Sequence, residues 1–231
     1  MRILFLGNSH TYFNDMPATC AALVKAATGA DCSVTMLSHS RRDLSWHRRE
    51  YFELRFNLLY GGYDYCVIQQ AAHPFPGESL TLEQGRAIIE LCQKAGVKPV
   101  LFMTWAEKRH PENQQQMVDT YTRLAAETGA LLAPIGRIWQ QVQRSRPLLE
   151  LYWQDGSHAS PLGSFLAAAT VCSVVTGVSP ERLPATGCDF TQGAAIDFSA
   201  PQLLEHNCLL PLDEADCRFI LQTARQILTE E

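Results

Sequence analysis

Ser9 follows the apolar run Ile3-Leu-Phe-Leu6 and the pair Gly7-Asn8, so a hydroxyl stands just beyond what reads as the end of a strand. At a strand-to-helix turn a serine can project from the sheet edge with backbone amides close enough to stabilise an oxyanion, which is what a nucleophile needs. A serine at a turn more often caps or hydrogen-bonds its own loop. The balance changes with Asp155-Gly-Ser-His158, far along the chain. Three residues apart, in a loop leading into a helix, the carboxylate can orient the imidazole and stabilise its protonated form. Ser9 is therefore the candidate nucleophile, and the Asp155 and His158 pair is the candidate source of its base.

The elements that must position these residues alternate. Apolar runs at 2–6, 33–37, 63–69, 98–104 and 131–135 read as five strands, nearly continuous in hydrophobicity as parallel strands covered on both faces are. Between them, helical spacing predicts a helix from an Asp15 cap with an early Pro17 to Gly29, then helices over 46–59, 80–95, 110–128 and 138–143. Residues 161–176 form a strongly apolar helix with Ala167-Ala-Ala169, small enough for close packing on the sheet. The stretch 177–211 reads as a long irregular excursion, and 212–228 as a closing amphipathic helix. Strands alternating with helices imply crossover connections and a three-layer α/β/α sandwich around a parallel sheet.

In such a sheet, sites form beyond the carboxyl ends of the strands. Those positions hold Gly7-Asn8-Ser9, His39-Ser40-Arg41, Gln69-Gln70 followed by His73, and Thr104-Trp105. Asn8 fixes the first turn by hydrogen bonding. His10, beside Ser9, either lines a pocket or is structural. Trp46, Trp105 and Trp153 either wall a pocket or pack in the core. Asp43 and Glu107 are not paired carboxylates, so a glycosidase has little support.

At 231 residues and 46% hydrophobic content the chain can bury a substantial core, nothing in it reads as a linker, and a single domain over 1–231 is expected. A net charge of -5 argues against general affinity for nucleic acid or an anionic membrane. The basic pairs Arg41-Arg42 and Arg48-Arg49 read as a solvated loop and helix face. Met1 leads directly into the first strand and no apolar run approaches the roughly 20 residues of a membrane span, so a cytoplasmic location is expected. The eight cysteines form no CxxC and no closely spaced ligand set, so no metal is expected and most read as reduced core thiols.

GNSHT near the start and DGSHASPLGSFLAA near the end resemble the first and last blocks of the SGNH, or GDSL-like, hydrolase superfamily. The longer string GNSHTYFNDMP is similar to a branch in which Asn replaces the Asp of GDS. The likeness spans roughly residues 3–169. It implies a flavodoxin-like fold and a serine esterase, with Ser9 as nucleophile, His158 as general base and Asp155 as its orienting partner. No metal or organic cofactor is implied. The expected partner is a small-molecule ester, a small acyl group such as acetyl on a carbohydrate-like or other small hydroxylated substrate.

The same family builds its oxyanion hole from the serine amide, a glycine after the second strand and an asparagine side chain after the third. Ser9 keeps the first. No glycine follows Leu37, so the amide of Ser40, or of Arg41, takes the second place in a conformation that glycine adopts more easily. In place of GxND stands Val67-Ile-Gln-Gln70, with Gln69 the favoured donor, Gln70 the alternative, and His73 near the missing asparagine. His10, Arg41, Gln70, His73 and Trp105 are the further residues expected at the pocket. The replaced glycine and asparagine leave room for a ligand-binding or assembly module with little catalysis. Acyl transfer to an acceptor other than water would use the same triad.

Overall fold

Side chains of the first strand explain the layers. In β1 (Arg2–Gly7), Ile3 and Phe5 enter one apolar cluster and Leu4 and Leu6 another, because successive strand residues point to opposite faces. The computed structural model describes residues 1–185 and 212–229. Its other strands are β2 (Ser33–Ser38), β3 (Tyr65–Ile68), β4 (Lys98–Phe102) and β5 (Leu131–Ala133). They form one sheet in the order β2-β1-β3-β4-β5, and every pairing is parallel. This is the α/β architecture expected from the alternation of apolar runs and helical segments.

One face is covered by α2 (Met16–Thr28), α7 (Ile135–Ser145), α8 (Pro161–Thr176) and α9 (Glu214–Thr229), whose apolar residues join Ile3, Phe5, Val67, Val100 and Phe102. The other is covered by α3 (Leu44–Arg49), α4 (Tyr51–Tyr60), α5 (Glu78–Lys94) and α6 (Gln114–Thr128), which pack on Leu4, Leu6, Leu37, Ile68 and Leu101. A single turn of helix, α1 (Ser9–Tyr12), precedes α2. The small residues of α8 let it seat closely: a side chain at Gly163 would lie 2.3 Å from the Leu151 carbonyl oxygen.

Several boundaries differ from the expected ones. The helix expected over 46–59 is two helices, because Glu50 leaves helical geometry (ψ 49°), and α3 begins early under a cap in which Asp43 accepts from the Trp46 amide at 2.8 Å. Asp15 is left-handed (φ 51°), not extended as a capping residue is, so α2 starts without the expected cap. β3 and β4 stop at Ile68 and Phe102, which leaves Gln69 and Thr104 beyond the strands. Of the irregular stretch expected over 177–211, residues 186–211 lie outside the described residues. No helix among the described residues is long and apolar enough to cross a membrane.

Candidate active site

Three strand ends converge where the register pairs Leu6 with Ile68 and Gly7 with Ser38. At Gly7 there is no room for a side chain: a Cβ would sit 2.3 Å from the Thr11 hydroxyl and 2.5 Å from Gln69 Oε1. The chain then turns sharply into α1, with Asn8 as its cap: Oδ1 accepts from the His10 amide at 3.1 Å. The Asn8 side chain also donates to the Arg42 carbonyl at 2.9 Å, tying the turn after β1 to the loop after β2. Ser9 therefore stands at the first position of a helical turn fixed from both sides.

The loop from Asp155 to His158 meets it from the far end of the chain. Asp155 Oδ1 accepts from the amides of Ser157 and His158, both at 2.9 Å, and its Oδ2 lies 2.5 Å from His158 Nδ1. His158 Nε2 lies 2.8 Å from Ser9 Oγ. Burial opposes ionisation of Asp155, but the imidazole and the two amides outweigh it and hold the carboxyl below its ordinary range. The imidazole is clamped between two rings, Phe13 at 4.4 Å and His10 at 4.7 Å, both nearly parallel to it. Trp105 Nε1 donates to the Ser157 carbonyl at 2.9 Å and steadies the loop from below.

These contacts border a cleft of about 450 Å³ lined by Ser9, His10, Arg41, His73 and His158, among others. Arg41 is left-handed (φ 61°), a conformation costing a non-glycine residue about 1 to 2 kcal/mol. The Asn8 bond to Arg42, and an Arg42 amide donating to the His39 carbonyl at 3.1 Å, hold it there.

Other residues expected at the pocket lie elsewhere. Gln69 is fully buried: its Oε1 accepts from the Asn8 amide at 2.8 Å and the Thr11 hydroxyl at 3.0 Å, and its amide group donates to the Gln70 carbonyl. That side chain is a strut beneath the turn, not a donor facing the cleft. Gln70 is equally buried, accepting from the amides of Leu44 and Ala71 at 3.0 and 2.9 Å. Trp105 is a core residue stacked on Trp139 at 4.2 Å. Ser40 is exposed and does not border the cleft.

Three residues that build the site went unpredicted. Asn14, itself left-handed (φ 52°), donates to the Ala159 carbonyl and the Ser164 hydroxyl, both at 2.9 Å, and so joins the turn of Ser9 to the histidine loop. Buried His47 places Nε2 2.8 Å from the Gly7 carbonyl oxygen. Phe13 is the clamp already described. An Asn two residues before an expected helix was the one available signal, since Asn tolerates left-handed turns.

No protein-family model matches the chain, and no curated relative is found. Solved structures do match. A candidate SGNH hydrolase from Slackia heliotrinireducens is 28% identical over 76% of this chain and 98% of its own, with a TM-score of 0.67. The chain belongs to the SGNH-like hydrolase superfamily. The same SGNH fold recurs in a DUF4886 family protein from Bacteroides uniformis, 16% identical over 99% of this chain and 95% of that one, with a TM-score of 0.68. An acetylxylan esterase from Geobacillus stearothermophilus shares it too, at 13% identity over 76% and 94% of the two chains and a TM-score of 0.62.

The cleft and the turn after β1 hold imidazoles that burial keeps neutral. Burial, with His73 and His158 nearby, pushes the His10 pKa well below the ordinary histidine value, and burial takes His47 and His73 down to about 4. In the unfolded chain these groups bind protons below about pH 6.5. The unfolded state therefore binds more protons, and stability is fully present above that pH and declines as pH falls from about 6.5 toward 4. Urea unfolding is expected to show a lower midpoint at pH 5 than at pH 7. An equal or higher midpoint at pH 5 would contradict the burial of these rings.

Proposed function

We propose that the chain is a serine esterase that removes a small acyl group, such as acetyl, from a carbohydrate-like or other small hydroxylated compound. What carries the reading is the continuous run of contacts from Ser9 Oγ through His158 to Asp155, 2.8 and 2.5 Å long, at the edge of a cleft. The cleft volume is in the range of small-molecule sites, and the similar fold of an acetylxylan esterase supports an acetyl ester.

Ser9 Oγ attacks the ester carbonyl as His158 Nε2 takes its proton, and Asp155 stabilises the imidazolium through Nδ1–H. The clamp of Phe13 and His10 keeps the ring in line with both partners. The oxyanion is met by the backbone amides of Ser9 and Arg41, neither of which donates to another group among the described residues. When the tetrahedral intermediate collapses, His158 passes its proton to the leaving alcohol. Water, deprotonated by the same imidazole, then attacks the acyl-serine, and the acid leaves as the proton returns to Ser9.

A fluorophosphonate probe tests the reading. One label per chain is expected, and peptide mapping should place it on Ser9. Failure to label Ser9 in protein that is folded by circular dichroism would remove the esterase and acyl-transfer readings together and leave a binding module.

A further inference from the structure

The sequence of α4, Tyr51-Phe-Glu-Leu-Arg-Phe-Asn-Leu-Leu-Tyr60, is apolar nearly all round, as in a helix enclosed by other elements. Yet only Leu54 and Leu58 are buried. Helical spacing places Tyr51-Arg55-Leu59 and Phe52-Phe56-Tyr60 on two adjacent rows, and all five apolar residues of those rows are exposed, Phe52 by 69% and Tyr60 by 76%. Ring centroids follow one another at 5.7 Å from Tyr51 to Phe52, 5.9 Å to Phe56 and 5.8 Å to Tyr60, so the aromatic surface is continuous. With roughly 150 to 250 Å² per aromatic side chain, the exposed patch is on the order of 600 Å², the size that marks an interaction site. The Arg55 guanidinium lies inside it, 5.6 Å from the Phe56 ring centroid. Neither Arg55 nor Arg49, just ahead of the helix, has a carboxylate partner among the described residues.

A second copy of the chain suits this surface poorly. Two-fold pairing about the middle of the stripe would bring two Arg55 guanidinium groups together, and the apolar area falls short of the roughly 800 Å² per partner of a stable interface. Anionic headgroups suit it better. Residues 41–55 carry Arg41, Arg42, Arg48, Arg49 and Arg55 against Asp43, Glu50 and Glu53, a local positive excess in a chain of net charge -5. At 0.1 M salt, charges beyond about 10 Å are screened, so a phosphate at α4 meets these arginines and not the distant carboxylates. The flank of the helix repeats the pairing of ring and arginine: Glu53 is 3.9 Å from His39, whose ring is 4.6 Å from Trp46, and Arg42 lies 5.3 Å from the Trp46 centroid.

We propose that α4 docks the chain on an anionic lipid surface. Its aromatic face seats at the boundary between headgroups and acyl chains, and Arg49 and Arg55 meet lipid phosphates. The helix lies in the plane of the surface, since ten residues are too few to cross a bilayer. Tyr51 and Tyr60 end the stripe, where a ring with a polar tip keeps its hydroxyl among the headgroups. The docking does not depend on the esterase reading.

Vesicle flotation of the full chain tests this. Vesicles of phosphatidylcholine and phosphatidylglycerol in equal parts, in about 0.1 M salt, should carry the wild-type chain upward, and about 1 M salt should release much of it. Vesicles of phosphatidylcholine alone should bind at least about tenfold less. Phe52→Ser combined with Phe56→Ser changes only exposed positions, leaves Leu54 and Leu58 in place, and should weaken binding at least about tenfold. Arg55→Glu should weaken binding to the mixed vesicles and leave binding to phosphatidylcholine alone unchanged. Failure of the wild-type chain to float with the mixed vesicles would overturn the proposal, as would equal flotation of the double variant, folded by circular dichroism. A wild-type dimer in sedimentation velocity that the double variant converts to monomer would also overturn it and assign the stripe to a second copy.

Discussion

His158→Ala is expected to lower kcat on a short-chain aryl acetate by roughly 10⁴- to 10⁶-fold, the scale on which losing the base of a serine triad is felt. No other base lies within hydrogen-bond reach of Ser9 Oγ among the described residues. His10 is nearest in sequence, but its ring is turned to Asn8 and is buried neutral. KM should change little, because the imidazole acts on the serine proton and not on the bound ester. Labelling by a fluorophosphonate should slow in step with kcat. The ring sits between Phe13 and His10, so its removal leaves a gap, and a thermal midpoint within a few degrees of wild type is the control. Folded His158→Ala with kcat within tenfold of wild type would sink the triad.

Gln69→Leu should cost about 3 to 5 kcal/mol of stability, a large effect for a swap of similar volume. The leucine would leave the Asn8 amide, the Thr11 hydroxyl and the Gln70 carbonyl without their partners in a fully buried place, at about 1 to 3 kcal/mol each. Relaxation recovers part of that, hence the estimate below the sum. Urea titration should show a lower midpoint with an unchanged slope. Since the strut holds the turn that carries Ser9, kcat should fall as well. A loss under about 1 kcal/mol would mean that Gln69 does not bear the turn.

The sheet was legible because its strands are covered on both faces: uninterrupted apolar runs such as Ile3 to Leu6 have no other stable place in a chain of this size. The Asp155 and His158 spacing was legible because it is local; a three-residue loop brings carboxylate and imidazole together with little help from the rest of the fold. Gln69 was misjudged for a geometric reason. Val67 and Ile68 point to opposite faces, and Gln69 and Gln70 continue that alternation past the strand, each diving beneath the edge instead of rising above it. Whether alternation stops at Ile68 or runs on depends on how Asn8 and Leu44 present their amides, and those come from other segments. The two-helix break at Glu50 and the clamp of Phe13 against His158 are likewise tertiary and leave no periodic trace.

Ser9 and His158 are 149 residues apart in the chain but in contact in the fold. During synthesis at about 5 to 20 residues per second, the serine precedes its histidine by roughly 7 to 30 s. Throughout that interval the hydroxyl has no base, and it acquires one only when α8 docks and Asn14 meets Ala159 and Ser164. Under the proposed mechanism the nascent chain is inert toward esters until the contact between Ser9 and His158 forms.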